Sequence, residues 1–173
     1  KCLTKLNDKY FIVDVNLESY YKFDLNSFDE LLKYFRKNKI RLVCNEFKEI
    51  VRIHKIDTMD LLLFDVSVAA HLLNQFEGKP DLERIAASCG LNNFHLEDHS
   101  NSGQRQQSLF DNIDSNTDTD IYDEKTIEKA KMSLNILSRI ALIQFKMLQD
   151  RKLILLALMI EMPLTGILGE MEY

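Results

Sequence analysis

An acidic segment and a set of histidines and cysteines are the side chains that could bind a metal ion. The segment Asp114 to Asp120 begins like a calcium-binding loop. However, Thr119 stands where the sharp turn of such a loop needs glycine, and Lys125 replaces the bidentate glutamate. The segment is therefore expected to be a solvated acidic loop and not a calcium site.

The histidines and cysteines are scattered along the chain without the spacing of metal ligands. No Cys-x-x-Cys pair occurs, which argues against a zinc site or a disulfide framework and favours a reducing cytoplasm. These residues are His54, His71, His95 and His99, with Cys2, Cys44 and Cys89. No metal site is predicted from them.

Composition indicates a single globular domain that binds nucleic acid weakly at best. Of 173 residues, 46% are hydrophobic and 28% are charged, which is enough apolar material for one core. The net charge of −5 is unfavourable for following a phosphate backbone, which needs clustered Lys and Arg. The longest apolar run, Leu153 to Ile160, is too short to span a membrane, and no signal peptide is visible.

Short apolar runs and helix signals alternate in the first half of the chain. Strands are predicted at Tyr10–Val15, Ser19–Leu25 and Ile40–Cys44, while Thr58 to Phe64 is ambiguous. Helices are predicted after the capping box Ser27–Glu30, at Glu46–His54, from a cap at Asp65 to about Gln75, and between Asp81 and Gly90. This alternation predicts an α/β fold with a small sheet between helices.

The second half begins with a polar segment and continues with helices. Residues 92–126 are rich in Ser, Asn, Gln and Asp, which predicts a long loop or a disordered insertion. A long helix with a wide apolar stripe around Ile136, Ile140 and Ile143 is predicted next. A further helix is predicted to carry Leu153 to Ile160 and to meet Pro163.

Three segments resemble bacterial family A DNA polymerases, the DNA polymerase I family. The most specific is Ile160 to Tyr173, which is similar to the junction where a helix ending in Glu-x-Pro-Leu leads from the 3′–5′ exonuclease domain into the polymerase domain. Phe64 to Asn74 resembles a helix of that family that opens with Phe-Asp, and Phe11 to Asp14 resembles the first strand of the exonuclease fold. Together these segments extend over most of the chain in the family's order.

The resemblance implies an RNase H-like fold (DnaQ-like exonuclease), a small mixed sheet flanked by helices. Few residues separate Asp14 from the capping box, so reduced strand content is expected. Residues 1–160 would form the exonuclease-like domain, and residues 161–173 would begin the connection to a polymerase domain of the same chain. The implied setting is DNA replication and repair, in the cytoplasm at the nucleoid.

The same resemblance implies a catalytic site that has lost most of its metal ligands. Proofreading relatives hold two Mg²⁺ or Mn²⁺ ions, about 4 Å apart, with four carboxylates. Asp14 matches the first carboxylate, but Asn16 stands in place of the second. Ungapped counting puts Lys48 at the third position, or Glu49 after a one-residue shift, and puts Met132 at the fourth.

The polar segment contains a peptide similar to those with which bacterial polymerases bind the sliding clamp. The peptide is Gln106-Gln107-Ser108-Leu109-Phe110. The glutamine amide would form paired hydrogen bonds, and the adjacent Leu and Phe would fill an apolar pocket. The alternative is that Leu109 and Phe110 attach the loop to its own domain.

These resemblances favour a non-catalytic, exonuclease-like module that supports a polymerase domain, touches DNA weakly and binds no cofactor. Two other functions stay open. One is an active 3′–5′ exonuclease that uses Asp14, Glu49 and carboxylates near Asp120 to Glu128, with Mg²⁺ or Mn²⁺. The other is an adaptor that only binds the clamp.

Overall fold

The fold is mixed α/β, with a central sheet that carries helices on its two faces. A computed structural model describes residues 1–6, 9–13, 20–23, 28–55, 57–58, 60–73, 81–91 and 118–172. Within these ranges the strands are β1 (Cys2–Leu6), β2 (Lys9–Val13), β3 (Tyr20–Phe23), β4 (Leu42–Cys44) and β5 (Leu63–Asp65). The helices are α1 (Phe28–Lys37), α2 (Phe47–His54), α3 (Val66–Leu72), α4 (Leu82–Ser88), α5 (Asp118–Asp150), α6 (Ile154–Leu156) and α7 (Met162–Glu170), with a π-helical turn (Ala157–Glu161) between the last two.

The sheet joins an antiparallel half to a parallel half. Its strand order is β3-β2-β1-β4-β5. Strands β1, β2 and β3 are antiparallel neighbours, whereas β1, β4 and β5 run parallel to one another. Every residue of β4 and β5 is buried, as expected for parallel strands covered by helices on both faces. The carboxyl ends of β4 and β5 therefore meet at one edge of a buried sheet.

Helix α5 covers one face of the sheet and also holds the end of α3. The rings of Phe64 and Phe145 lie 6.1 Å apart between centroids, which places β5 against α5. Gln144, fully buried on α5, donates through Nε2 to the carbonyl oxygen of Val66 at 3.1 Å. Arg151 donates through Nη1 to the carbonyl oxygen of Leu73 at 2.8 Å. These two bonds fix both ends of the short helix α3 against the long one.

Helices α2 and α7 pack closely because α7 presents glycine at the contact. A Cβ atom built on Gly169 would lie 2.8 Å from Cβ of Val51 and 3.1 Å from the carbonyl oxygen of Lys48. The same helix is held by Glu170, whose Oε1 accepts from the amide and the hydroxyl of Thr58 at 2.9 and 2.6 Å. The segment predicted to begin a connection thus packs against α2, while its continuation into another domain stays a prediction.

The strand predicted to open the fold is the second strand of the sheet. Strand β1 is not among the predicted strands, because Cys2–Leu6 is short and its residues do not alternate between apolar and polar. Burial of Cys2 and Leu3 shows why this strand forms, since it occupies the centre of the sheet. Phe11 to Val13 belong to β2, and Val13 pairs with Cys2 at the edge where β1 begins. That is the edge opposite to the carboxyl ends of β4 and β5.

One predicted loop boundary is also wrong. Helix α5 begins at Asp118, so the predicted loop at 92–126 ends earlier than expected. Acidic residues in a first helical turn complement the positive end of the helix dipole, a signal that outweighs polar composition here. At the other end, Pro163 does not stop the helix. It is the second residue of α7, where its missing N–H costs little, and the π-helical turn precedes it.

Three helix signals are confirmed. Asp65 caps α3 through a bond from the amide of Ser67 at 2.9 Å, and Asp81 caps α4 through a bond from the amide of Arg84 at 2.7 Å. Gly90 follows α4 with a φ of 80°, the left-handed conformation typical of a helix terminator. Ser27 of the predicted capping box lies outside the described residues.

We expect Gly169→Ala to destabilise the protein by up to about 2 kcal/mol. Overpacking against Val51 and the Lys48 backbone costs roughly 1–3 kcal/mol, and the helix propensity of alanine offsets roughly 1 kcal/mol of that cost. Urea unfolding of the wild type and variant measures the loss. In a Val51→Ala background, Gly169→Ala should lower the free energy of unfolding by a smaller amount, because the side chain at position 51 is then smaller. Equal losses in both backgrounds would show that the Val51 side chain does not limit how closely α2 and α7 pack.

Candidate functional site

A cleft opens at the edge of the sheet where β4 and β5 end. In parallel sheets, this is the edge at which ligands bind, because the loops after the strands diverge there. The cleft measures about 620 Å³ and lies between α2, α3 and α7. We call it the carboxyl-edge cleft; it is lined by Glu46, Lys48, Glu49, Asp65, Ser67, Val68, His71, Leu72, Glu161, Leu164, Thr165 and Leu168.

The buried carboxylate of Asp65 forms the base of this cleft and organises two helices. Its Oδ1 accepts from the amides of Glu46 at 3.3 Å and Ser67 at 2.9 Å, and its Oδ2 accepts from the amide of Phe47 at 2.7 Å. The free amides at the starts of α2 and α3 thus converge on one side chain. Glu46 adopts a left-handed conformation, φ 56°, as the chain turns into α2.

Burial governs the ionisation of the groups beneath the cleft. It raises the pKa of Asp65, and the hydrogen bonds from the amides of Phe47, Ser67 and Glu46 partly oppose that rise. Burial also raises the pKa of the Cys44 thiol well above its usual range, and the neighbouring Asp65 adds to the effect. A thiol that stays protonated is a poor nucleophile, so Cys44 is a core residue.

Two ion pairs occupy the α2 side of the cleft. Nζ of Lys48 lies 2.6 Å from Oε1 of Glu172, just beyond the end of α7. Oε2 of Glu49 lies 2.7 Å from Nη2 of Arg52, one turn further along α2. Both pairs are partly exposed, so each contributes little to stability. These pairs matter for the charge of the cleft, because the Lys48 ammonium and the Glu49 carboxylate are each already neutralised by an opposite charge.

The remaining side of the cleft combines one acidic group with apolar walls. Glu161, the last residue of the π-helical turn, is half-buried, and no described side chain pairs with its carboxylate. Leu164 and Leu168 follow it at one-turn spacing on α7, and Val68 and Leu72 have the same spacing on α3. This side can therefore receive an apolar chain beside a negative charge.

The structure brings only part of the predicted catalytic set to the cleft. Lys48 and Glu49 line it, but Met132 is 51% exposed on α5 and is not part of the lining. Asp14 and Asn16 lie outside the described residues, although the strand before them ends at the opposite edge of the sheet. The predicted clamp-binding residues Gln106, Ser108, Leu109 and Phe110 also lie outside the described residues.

Sequence analysis missed the two acidic residues that shape the cleft. Asp65 was predicted as a helix cap for α3, and nothing in its local pattern indicated that it also holds the start of α2, which is distant in sequence. Glu161 was part of the segment that carries the polymerase resemblance, and its position beside α3 depends on tertiary packing. A capping aspartate directly after a buried strand was the available signal for Asp65.

Two further questions for the described residues are whether they hold a group of metal ligands and whether they include a membrane-spanning helix. Across those ranges, no three His, Cys, Asp or Glu side chains come together as a group that could hold a metal ion. Among the helices of the same ranges, none combines the length and apolar character needed to cross a membrane.

Comparison with known proteins gives no relative. No family model matches the chain. Neither the curated proteins nor the solved structures contain a match.

We expect Asp65→Asn to lower the free energy of unfolding by roughly 1–3 kcal/mol at pH 7, because one amide oxygen cannot serve all the backbone donors that the carboxylate holds. Guanidinium unfolding measures the difference. Asp81→Asn, at the exposed cap of α4, is the matched control and should cost less than half as much. Equal losses at the two caps would contradict the bridging role of Asp65.

The raised pKa of Asp65 gives stability a defined pH dependence. A carboxyl whose pKa is higher in the folded state binds its proton more tightly there than in the unfolded chain. Its contribution to stability is full below the unfolded pKa of about 3.9 and is lost as the pH rises through the folded value. The advantage of wild type over Asp65→Asn should therefore shrink as the pH rises above about 4. If the stability difference between the wild type and Asp65→Asn instead grows with pH, the hydrogen bonds lower the pKa of Asp65 by more than burial raises it.

Proposed function

We propose that this chain is a non-catalytic 3′–5′ exonuclease-like module of the DNA polymerase I family. It supports and orients a polymerase domain in DNA replication and repair. Nucleotide transfer belongs to that polymerase domain, and no residue described here performs it. The module contacts DNA weakly through the polymerase and works in the cytoplasm, at the nucleoid.

The observation that carries the proposal is the ion pair of Lys48. The polymerase resemblance places Lys48 where a metal-binding aspartate would stand, and an ammonium group cannot bind a cation. Its Nζ lies 2.6 Å from Glu172. In the shifted register, Glu49 takes that position, but Arg52 pairs with its carboxylate at 2.7 Å. Both alternatives replace a free carboxylate with a neutralised pair, which does not fit a two-metal centre.

The topology supports the RNase H-like part of the proposal. Such a fold needs a mixed sheet with helices on both faces, and the β3-β2-β1-β4-β5 sheet has antiparallel and parallel halves. Helix α1 connects β3 to β4, and α2 connects β4 to β5. The long α5 then packs across β1, β2 and β4. These connections agree with an exonuclease-like framework that persists after its ligands are replaced.

An exposed apolar face supports the structural role. Along α6, the π-helical turn and α7, large apolar side chains are exposed to solvent. They are Leu155 and Met159, each 72% exposed, together with Ile160, Ile167 and Met171 at 55%, 52% and 75%. A face of this size on one helical segment commonly marks an interaction surface. A polymerase domain that continues from the end of this segment would cover it.

A nuclease assay tests the proposal against an active exonuclease. The purified chain is incubated with 3′-labelled single-stranded DNA and Mn²⁺, and product is followed on denaturing gels. We expect no degradation above background, because Lys48 and Glu49 are both ion-paired and two divalent ions need several free carboxylates. Degradation that disappears in both Asp14→Ala and Glu49→Gln would overturn the proposal.

Asp150→Asn, at the end of α5 and outside the cleft, is the control for that assay. Any degradation that persists in Asp14→Ala, Glu49→Gln and Asp150→Asn alike comes from a contaminating nuclease and leaves the proposal standing. Calorimetric titration with Mn²⁺ adds an independent measurement. We expect no saturable binding in the millimolar range.

The polymerase setting also favours clamp binding through Gln106 to Phe110. The adjacent Leu109 and Phe110 are the anchors, and Gln106 and Ser108 are their polar neighbours. Replacing Leu109 and Phe110 with Ala should weaken binding of a bacterial sliding clamp at least tenfold, because each buried apolar anchor contributes about 1.5–3 kcal/mol. Calorimetry with the wild type and with Leu142→Ala, an exposed residue of α5, provides the comparison. Unchanged affinity in the double variant would rule out this tether.

A further inference from the structure

We infer that the carboxyl-edge cleft binds a primary ammonium group carried on an aliphatic chain, with Glu161 as the residue that recognises the cation. This ligand class is separate from DNA, metal ions and the sliding clamp. The inference does not depend on the polymerase resemblance. It rests on the charges, walls and size of the cleft.

The other acidic side chains and the lysine that line the cleft already have partners, Glu46 included. The Asp65 carboxylate accepts hydrogen bonds from backbone amides, and the Glu49 carboxylate faces Arg52. The Lys48 ammonium faces Glu172 and so does not neutralise Glu161. Among the described residues, no cationic side chain pairs with the Glu161 carboxylate. A ligand cation would supply that partner.

The walls next to Glu161 explain why the cation should carry an aliphatic chain. Leu164 and Leu168 on α7 are each 41% exposed, and Val68 and Leu72 on α3 are half-buried. The four side chains line the same cleft and present apolar surface that solvent still reaches. A methylene chain placed between them would remove that surface from water.

The size of the cleft agrees with a small ligand or a single long side chain. Its volume of about 620 Å³ falls within the range of small-molecule sites. The hydroxyls of Ser67 and Thr165, which also line the cleft, donate to Oδ1 of Asn45 at 2.6 Å and to the carbonyl oxygen of Glu161 at 2.9 Å, so their oxygens can still accept from an ammonium group. An alkylammonium therefore fits the site in charge, size and hydrogen bonding.

The same chemistry has two sources, a free alkylamine and the lysine side chain of a peptide. Titration of the 173-residue chain with hexylammonium tests the first, and titration with the capped tripeptide acetyl-Leu-Lys-Leu-amide tests the second. Chemical shifts of the leucine methyl groups report the site. We expect saturable shifts at Leu164 and Leu168 with at least one of these probes, and the tighter probe identifies the source.

Two series of ligands separate the contribution of the positive charge to binding from the contribution of the aliphatic chain. Hexanol and hexanoate have the chain without the cation, and both should bind at least tenfold more weakly than hexylammonium, because a charge-assisted hydrogen bond contributes about 1.5–3 kcal/mol. Butylammonium should bind roughly tenfold more weakly than hexylammonium, since each buried methylene contributes about 0.8 kcal/mol.

Variants of Glu161 test the assigned residue. Glu161→Gln should weaken hexylammonium binding roughly tenfold and leave hexanol binding unchanged, which also shows that the cleft is intact. Glu161→Lys should reverse the preference, so that hexanoate binds better than hexylammonium. Glu128→Gln, an exposed residue of α5 outside the cleft, is the matched control and should behave as wild type.

Specific results would overturn the inference. They are equal binding of hexanol and hexylammonium, no saturable shift with either cationic probe, or unchanged hexylammonium affinity in Glu161→Gln. If Glu161→Gln does not fold, Leu168→Ser provides the second variant. It should weaken hexylammonium more than it weakens methylammonium, and equal effects on the two amines would count against the cleft.

Discussion

The carboxylate of Asp65 is the interaction on which the arrangement of this domain depends. It terminates β5, begins α3 and accepts from the amides of Glu46 and Phe47 at the start of α2. Its own amide donates to Sδ of Met162 at 3.1 Å, which places α7 against the same point. Because it is buried, losing it would leave several amides without an acceptor in a region that water does not reach. Asp65 thus positions three helices, two through its carboxylate and one through its backbone amide.

The close contact of α2 and α7 then determines which charges meet at the cleft. Gly169 lets the two helices approach, so that Lys48 reaches Glu172. Arg52 neutralises Glu49 from within α2, and Glu161 keeps a carboxylate beside apolar walls. Among the described residues that line the cleft, Glu161 is thus an acidic side chain without a charged partner, and it lies beside a surface that suits an organic ligand.

These features connect the proposed supporting role with the proposed ligand. The proposed polymerase domain would cover the exposed apolar face on α6 and α7. The cleft between α3 and α7 is lined by Leu164 and Leu168, which lie within one or two helical turns of Ile160 and Met171 and on the same stripe of the helix. A domain that covers the exposed face would therefore border the cleft.

The sequence by itself determined the helix ends that are marked by residues next to them in the chain. Capping aspartates placed the starts of α3 and α4, Gly90 placed the end of α4, and alternating strands and helices gave the α/β class. Tertiary structure alone decided that Cys2–Leu6 is the central strand, since a short strand gains its stability from neighbours on both sides. It also decided the pairing of Lys48 with Glu172 and the position of Glu161. These contacts join residues far apart in sequence, and their geometry follows from helix packing, which no local pattern encodes.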